Sequence, residues 1–388
     1  MLPLYLDNAA TSFPKPASVC DAVDRWMRTG FGAHGRTAGS ASDSSQRIVE
    51  QTRVRVADLL GISSPDRVAF TFNCTDSLNL VLRGFLRPGH RVITTTLEHN
   101  SVLRPLRQLQ QEMELDVAYV DFDPSSGEID VDDLRTALRH KESHLVVMTH
   151  ASNVLGTVQP IATASREAHE AGALILLDAA QTAGHQPLKM QELNVDFLAT
   201  AGHKGMLGPT GTGILAVRSE LESRLRPARC GGTGTQSERP DQPDTMPELF
   251  ESGNMNMPGL CGLHAATAWL QERGITEIAR QITSQTTELR NELRTIPEID
   301  CYPADLRQDT SGIVSFNVRG TDCREVATIL DQAFGIVCRA GLHCAPLVHQ
   351  TLGTLAAGGT VRLSPGPFTT AEDIRQTVEA VRQIAAAF

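Results

Sequence analysis

Short apolar runs alternate with amphipathic stretches between about residues 67 and 217, a pattern typical of a layered α/β domain. The predicted strands are 67–72, 91–96, 116–122, 144–150, 173–179, 195–200 and 213–218. The predicted helices between them include 75–86, 102–114 and 161–172. Because the strand over 173–179 is apolar on both faces, we expect it near the centre of a mainly parallel sheet that helices cover on both sides.

The pattern changes after residue 230. A polar stretch rich in Gly and Pro (230–248) predicts a long loop, and loops of this length are often functional. A helical pattern over about 259–295 follows, and two further strands are predicted at 311–318 and 360–365. The chain ends in an amphipathic helix for which Thr370 is the expected N-cap. These elements predict a smaller α+β domain in the C-terminal part of the chain.

Composition narrows the classes of function. The 388 residues carry a net charge of −10 and no basic stripe, which argues against a nucleic-acid partner. No stretch resembles a signal peptide or a membrane span, so we expect a cytoplasmic protein without a membrane partner. The eight cysteines form no CxxC pair or regular framework, and we expect free thiols, one of which could be used chemically.

The choice of basic residues singles out one lysine. Only four of the 35 basic residues are lysines, and of these Lys204 alone lies in a glycine-rich stretch, TAGHKGMLGPTGTG. A lysine amine can form an imine, which arginine cannot do under physiological conditions. Codon bias alone explains the small number of lysines equally well.

Candidate site residues follow the predicted strands, where α/β sheets bind their ligands. Thr75 opens a helix and, with the Cys74 backbone, could bind a phosphate, although it could also be a simple cap. His99 could stack on a flat ring or move protons, or be a solvated loop residue. Asp178 ends the most apolar strand and needs a hydrogen-bonding or cationic partner. Together Lys204 and Asp178 could anchor opposite parts of a pyridoxal-phosphate ring, although Asp178 could equally form a structural ion pair.

The smaller domain offers a nucleophile. Cys344 follows Arg339 and His343, and a thiol close to an arginine and a histidine is typically reactive. Arg362 leaves a predicted strand and could bind a carboxylate through two parallel hydrogen bonds. The spacing of cysteines and histidines around Cys344 matches no common zinc pattern, so no metal site is predicted.

Eight motifs in the same order give the chain a resemblance to a known family. They are YLDNAATSFPKP, NCTDSLNLVL, EHNS, HASNVLGTVQPI, LLDAAQTAGH, ATAGHKGMLGPTGTG, FESGNMN and RAGLHCAP. The chain resembles the class V aminotransferases, specifically the cysteine desulfurases and selenocysteine lyases, from residue 5 to about 368. The resemblance implies a fold-type I pyridoxal-phosphate enzyme that forms a homodimer with active sites at the interface. The expected large domain is 16–257, and the expected small domain comprises 1–15 and 258–388.

The resemblance also implies residue roles. Lys204 is similar to the Schiff-base lysine of the family, Asp178 to the partner of the pyridine nitrogen, and His99 to the residue stacked on the ring. The residues implied to contact the rest of the cofactor are Asn153, Gln181, Cys74, Thr75, Thr200, His203 and Asn254. The residues implied to bind the substrate are Arg362, Arg339 and Asn8. Asn254 stands where many relatives have a threonine that reaches the phosphate in the partner subunit.

The implied reaction converts L-cysteine to L-alanine and leaves the sulfur as a persulfide on Cys344. The short separation of Cys344 from Arg362 resembles the group with a compact cysteine loop, whose members commonly use a sulfur-acceptor protein. The alternatives are selenocysteine lyase, cystine lyase or another reaction of this family on the same cofactor.

Overall fold

The structure is a computed structural model that describes residues 3–30, 40–305 and 310–388, without the side chains of residues 40–44. Residues 1–2 and 306–309 of the expected small domain and 31–39 of the expected large domain therefore lie outside the described residues. The α-helices are α1 (Ala17–Thr29), α2 (Ser40–Leu60), α3 (Cys74–Phe85), α4 (Asn100–Met113), α5 (Val131–His140), α6 (Ile161–Glu170), α7 (Met190–Leu193), α8 (Met257–Arg273), α9 (Ile275–Arg294), α10 (Cys323–Phe334), α11 (Pro346–Thr351) and α12 (Ala371–Ala387). The strands are β1 (Leu4–Tyr5), β2 (Val68–Thr71), β3 (Arg91–Thr95), β4 (Asp116–Val120), β5 (Leu145–Thr149), β6 (Leu174–Asp178), β7 (Phe197–Ala201), β8 (Gly213–Val217), β9 (Ile299–Tyr302), β10 (Val314–Val318), β11 (Ile336–Val337), β12 (Arg339–Gly341) and β13 (Thr360–Leu363).

A seven-stranded sheet forms the larger part of the fold. Its strand order is β2-β8-β7-β6-β5-β3-β4, and only β8 runs antiparallel to its neighbours. All five residues of β6 are buried, as expected for a strand with helices on both faces. Successive residues of β6 point to opposite faces of the sheet. Ile175 and Leu177 therefore pack in one cluster of buried side chains, and Leu174 and Leu176 pack in another. The predicted α/β architecture with a mainly parallel sheet is confirmed.

A second, four-stranded sheet lies in the C-terminal part of the chain, with the order β12-β13-β10-β9. Its pairs are antiparallel, and its core includes Phe316, Leu363 and Leu289. The N-terminal strand β1 pairs in parallel with β11, so the first residues of the chain join this part of the fold. The predicted α+β character of this region is confirmed.

The helical pattern over 259–295 forms two helices rather than one. Gly274, with φ +82°, separates α8 from α9, a backbone conformation that glycine adopts without steric cost. Leu263 and Leu270 of α8 pack in the same cluster as the large-sheet residue Ile175. The expected domain boundary at 257/258 stays a prediction.

Two expectations about the ends of elements are confirmed. Residues 230–248 contain no helix or strand and form a loop. The Thr370 hydroxyl accepts a hydrogen bond from the Asp373 N–H at 3.1 Å, and the Asp373 carboxylate accepts one from the Thr370 N–H at 2.8 Å, which completes a capping box on α12. No helix in the three described ranges is both long and apolar enough to cross a bilayer.

Two glycines let the loop after β7 approach the turn after β6. A Cβ on Gly184 would lie 2.2 Å from the Gly205 carbonyl oxygen, and a Cβ on Gly205 would lie 2.3 Å from the Ala183 carbonyl oxygen. Gly184 also has φ +81°. The close approach therefore depends on the absence of side chains at both positions.

We predict that Gly184→Ala destabilises the protein more than Gly172→Ala does. Gly172 has nearly the same conformation, φ +79°, but a Cβ added there would have no atom within 4 Å. Gly172→Ala should lower the free energy of unfolding by about 1–2 kcal/mol, the cost of a left-handed conformation alone. Gly184→Ala should cost roughly 1–3 kcal/mol more because of the overlap with Gly205. Urea unfolding of both variants measures the difference, and equal losses would contradict the importance of the close approach.

Candidate active site

The carboxyl ends of five strands meet at one edge of the large sheet. The strands β2, β3, β5, β6 and β7 share one direction, so the segments that follow them lie side by side. They surround a cavity of about 240 Å³. The cavity is lined by Ala9, Ala10, Asn73, Cys74, Thr75, His99, Ser101, Thr149, Asn153, Asp178, Ala180, Gln181, Ala201, His203, Lys204, Arg339 and Arg362. Ten of the residues that the sequence predicted for a site therefore lie together.

Asp178 and Lys204 bring opposite charges to the same cavity. Asp178 ends β6 and is 5% exposed, and its Oδ1 accepts hydrogen bonds from the Ala180 N–H at 2.9 Å and the Cys74 thiol at 3.4 Å. Burial raises the pKa of Asp178, while the Ala180 N–H and the Lys204 charge act against the rise. Burial also lowers the pKa of Lys204, which Asp178 partly opposes. The lowered pKa favours the neutral amine, the form that reacts with an aldehyde.

The Cys74 side chain makes a contact of its own, apart from the phosphate contact that the resemblance implies for its backbone. The implied phosphate contact uses the backbone of Cys74, whereas its buried thiol donates to Asp178. Burial raises the pKa of Cys74 well above its usual value, and the Asp178 charge adds to the rise. Cys74 is therefore a neutral hydrogen-bond donor to the buried carboxylate.

His99 is held as a neutral imidazole at the start of α4. Its Nδ1 accepts a hydrogen bond from the Ser101 N–H at 3.0 Å, so the ring proton is assigned to Nε2. Nδ1 also lies 2.8 Å from the Ser101 hydroxyl, which in turn lies 2.7 Å from the Thr75 hydroxyl. Burial, followed by the Lys204 and Arg339 charges, lowers the pKa of His99 to about 4.

The N-terminus of α3 offers an anion site beside Thr75. The Asn73 side chain caps the helix by accepting from the Asp76 N–H at 2.9 Å. The N–H groups of Cys74 and Thr75 occupy the first two helical positions, which have no partner within a helix. His203 lines the same cavity, with its Nδ1 3.1 Å from the Thr11 hydroxyl.

Gln181 and Asn153 connect the cavity wall to other parts of the chain. Gln181 donates through Nε2 to the Ala9 carbonyl at 3.1 Å. Asn153 donates through Nδ2 to the His343 carbonyl at 2.6 Å, and its own carbonyl accepts from Arg362 Nη1 at 2.9 Å. Asn153 therefore joins the segment after β5 to both β13 and the loop before Cys344.

Arg362 carries a buried guanidinium into the cavity. The residue is 1% exposed, and its Nη2 donates to Asp7 Oδ1 at 2.8 Å. Burial lowers the pKa of Arg362, and the Asp7 carboxylate opposes that effect. Its Nε is buried without a hydrogen-bond partner among the described residues. A buried unpaired donor on a cation favours an anionic ligand at this position.

Cys344 is joined to the cavity through Arg339. The Cys344 sulfur accepts from Arg339 Nη2 at 3.5 Å, and Arg339 itself lines the cavity. The Cys344 carbonyl accepts from the Asn100 N–H at 2.7 Å, next to His99. Both His343 (φ +49°) and Cys344 (φ +60°) adopt left-handed conformations, which are uncommon for residues other than glycine. The backbone strain and these contacts hold a partly exposed thiol at the edge of the site.

The expectation that His343 would assist the thiol is wrong. The His343 ring is 2% exposed, and its Nε2 lies 3.0 Å from the Thr360 carbonyl. Burial lowers the pKa of His343 to about 2, so the ring is neutral. The charged neighbours of Cys344 are Arg339, which donates to its sulfur, and Arg362.

Besides Cys344, three predicted site residues do not line the cavity. Thr200 is fully buried and donates to the Ala179 carbonyl at 3.2 Å. Asn8 is 1% exposed, and its amide bonds to the Ser364 carbonyl and the Phe13 N–H at 3.0 and 3.2 Å, so it braces the backbone. Asn254 is exposed and lines a separate cavity with Phe72.

Sequence reasoning missed several lining residues. Ser101 ends the EHNS motif but had no predicted role, although its position two residues after His99 could have suggested a contact between them. Thr149 pairs with Asp178 across the sheet. Its N–H donates to Glu98 Oε1 at 2.9 Å. Burial raises the pKa of Glu98 to about 8.

No group of three or more metal-ligating side chains occurs in the described part of the chain.

The residues present fit pyridoxal phosphate. The cavity contains an amine for the aldehyde group, a buried carboxylate for the ring nitrogen and a helix N-terminus for the phosphate. The Asp178 carboxylate has a raised pKa, which a cationic ring nitrogen would bring down by stabilising the charged form.

Comparisons with known proteins agree with this arrangement. The model of the family "Aminotransferase class-V" matches residues 4–377. A probable cysteine desulfurase from Methanothermobacter thermautotrophicus is 36% identical over 98% of this chain and 94% of its own length. A cysteine desulfurase from Yersinia pseudotuberculosis is 32% identical over 98% and 93%. The apo structure of a cysteine desulfurase from Thermococcus onnurineus superposes with a TM-score of 0.92 at 31% identity, over 100% of this chain and 95% of that one. The chain belongs to the class V aminotransferase family.

Proposed function

We propose that the protein is a pyridoxal-phosphate-dependent cysteine desulfurase. In the proposed reaction L-cysteine becomes L-alanine, and its sulfur stays on Cys344 as a persulfide for transfer to an acceptor. The names of the relatives support this reaction. The observation that carries the proposal for this chain is the contact of Arg339 with both the cavity and the Cys344 sulfur, which lies 3.5 Å from Nη2.

The cofactor would be held by residues from five strand ends. Lys204 would bind its aldehyde carbon, Asp178 its ring nitrogen, and the start of α3 its phosphate, with Thr75 and His203 beside it. His99 would cover one face of the ring, and Asn153 and Gln181 would contact the hydroxyl side. When bound, pyridoxal phosphate supplies an electron sink that stabilises negative charge at the substrate Cα.

Arg362 would bind the substrate carboxylate. Its guanidinium is fixed from behind by Asp7 at 2.8 Å and by the Asn153 carbonyl at 2.9 Å. The unpaired Nε would gain a partner when a carboxylate enters, so substrate binding would remove the cost of a buried, unsatisfied donor. Because Arg339 also lines the cavity, the same carboxylate would lie close to the residue that contacts the thiol.

Two groups would move protons. The Lys204 amine, whose pKa burial lowers, would take the proton from the substrate Cα as a general base. His99 would pass on the proton of Nε2 while Nδ1 gains one through the Ser101 hydroxyl, 2.8 Å away, and the exposed Thr75 hydroxyl, 2.7 Å further on. The ring would then be neutral before and after the transfer, and no imidazolate would be left in the cavity.

Sulfur transfer would need no external oxidant. The Cys344 thiolate attacks the substrate sulfur, so that an S–S bond forms as the C–S bond breaks. The electron pair of the C–S bond stays with the substrate Cβ, which becomes the methyl group of alanine after protonation. The substrate carbon is thereby reduced, and the sulfur is oxidised to the persulfide level.

We also propose a homodimer and a sulfur-acceptor protein as partners. Asn254 lies outside the cavity of its own chain, and a second subunit could bring it to the phosphate, as the family resemblance implies. The partly exposed Cys344 would be accessible to an acceptor at the edge of the site. The cytoplasmic location stays a prediction from the sequence.

We predict that Cys344→Ser abolishes sulfur transfer while Cys338→Ser retains it. Cys338 lies six residues earlier, and burial raises its pKa to about 12, so it is not a thiolate near neutral pH. Labelling of the persulfide after incubation with L-cysteine, together with L-alanine release, measures both variants. A persulfide on Cys344→Ser, or its loss from Cys338→Ser alone, would contradict the assignment of the nucleophile.

We predict that His99 remains neutral down to about pH 4, with its proton on Nε2. Burial and the neighbouring cations disfavour the imidazolium form, so the charged ring should appear only below that pH. Nitrogen NMR of histidine-labelled protein, with the His99 signals assigned by His99→Asn, follows both the charge and the tautomer. Half-protonation near pH 6.5, or a proton on Nδ1, would contradict the proposed role.

A further inference from the structure

The N-terminal segment runs from β1, which pairs with β11, past the cavity to the loop that carries Lys204. Asp7 binds Arg362, and the Ala9 carbonyl accepts from Gln181 at 3.1 Å. The segment then reaches Lys15, one of the four lysines in the chain. It therefore contacts both the proposed substrate arginine and the backbone around the proposed cofactor lysine.

The contacts of Lys15 concentrate on the residue before Lys204. Lys15 Nζ donates to the His203 carbonyl at 2.8 Å and to the Ser12 hydroxyl at 2.6 Å. The Ser12 N–H also donates to the His203 carbonyl, at 3.0 Å. The Ser12 hydroxyl also lies 2.9 Å from the Lys204 carbonyl. The N-terminal segment therefore binds the backbone carbonyls of both His203 and Lys204.

In the described part of the chain, the partly buried Lys15 amine is paired with no carboxylate; its hydrogen-bond partners are the His203 carbonyl and the Ser12 hydroxyl. Burial lowers the pKa of Lys15 to about 8. Moving a charged amine partly out of water costs free energy. The hydrogen bonds of Lys15 to one carbonyl and one hydroxyl offset part of that cost and hold those two groups in place.

We propose that Lys15 is a positioning residue that fixes the loop of Lys204. This inference rests on the proposed role of Lys204 as the cofactor lysine. With the His203 and Lys204 carbonyls held, the backbone orients the Lys204 side chain toward Asp178 in the cavity. Without the Lys15 amine, the N-terminal segment would hold the loop only through Ser12 and Thr11, and the amine of Lys204 would sample more orientations.

The test compares Lys15→Met with Lys189→Met in the cofactor-loaded enzyme. Lys189 is a matched control because its Nζ also donates to a backbone carbonyl at 2.6 Å, but that carbonyl belongs to Asp58 of α2 and not to the Lys204 loop. Hydroxylamine removes pyridoxal phosphate from a lysine, and the loss of visible absorbance gives the rate. We expect roughly a tenfold or greater increase in this rate for Lys15→Met, as for the loss of one charge-assisted hydrogen bond, and no change for Lys189→Met.

A second readout separates positioning from general stability. Lys15→Met should lower kcat with little change in KM for L-cysteine, because the substrate carboxylate binds Arg362 rather than the Lys204 loop. Lys15→Gln keeps a donor and should give an intermediate rate of cofactor release. If neither Lys15 variant folds, Ser12→Ala can replace them, because it removes the hydroxyl that contacts both the Lys15 amine and the Lys204 carbonyl. We expect it to speed cofactor release and to lower kcat in the same way.

The outcomes distinguish this inference from the proposed function. If the wild-type protein binds the cofactor and Lys15→Met releases it no faster than Lys189→Met, the positioning role is wrong and the proposed function stands. If the wild-type protein binds no pyridoxal phosphate, the proposed function and this inference are both overturned.

Discussion

The burial of one carboxylate and one amine in the same cavity is the constraint on which the site depends. Asp178 ends a strand that is buried along its whole length, and Lys204 follows the neighbouring strand β7. Taking either charge out of water alone would cost several kcal/mol. Each opposes the pKa shift that burial imposes on the other. A cofactor with a cationic nitrogen and an aldehyde would bind both the carboxylate and the amine. This binding explains why the fold keeps two such groups in a buried cavity.

The second organising feature is that the cavity is closed by residues far apart in sequence. Asp7 from the N-terminal segment, Asn153 from the large sheet and Arg362 from the small sheet are joined by hydrogen bonds of 2.8 and 2.9 Å. Asn153 also holds the His343 carbonyl at 2.6 Å, next to Cys344. A movement of the small sheet would therefore shift the anion-binding arginine and the thiol together. This coupling suits a reaction in which substrate binding and sulfur transfer take place at one site.

Much of the fold follows from local patterns, because apolar runs bounded by polar residues predict strands whatever their partners are. The same reasoning found Asp178 and Lys204, whose residue types are unusual for their surroundings. It could not find Ser101, since a small hydroxyl is common at a helix start and only its distances of 2.7 and 2.8 Å to neighbours reveal a role. Nor could it find that His343 turns toward Thr360, because the direction of a side chain in a short left-handed loop is decided by distant packing.

The central claim is that the Lys204 amine is the group that binds pyridoxal phosphate. Borohydride reduction of the cofactor-loaded protein makes the bond to the lysine permanent, and peptide mapping then identifies the modified residue. We predict a single modified peptide that contains Lys204. Modification of Lys15, Lys141 or Lys189 in its place, or of no lysine, would contradict it.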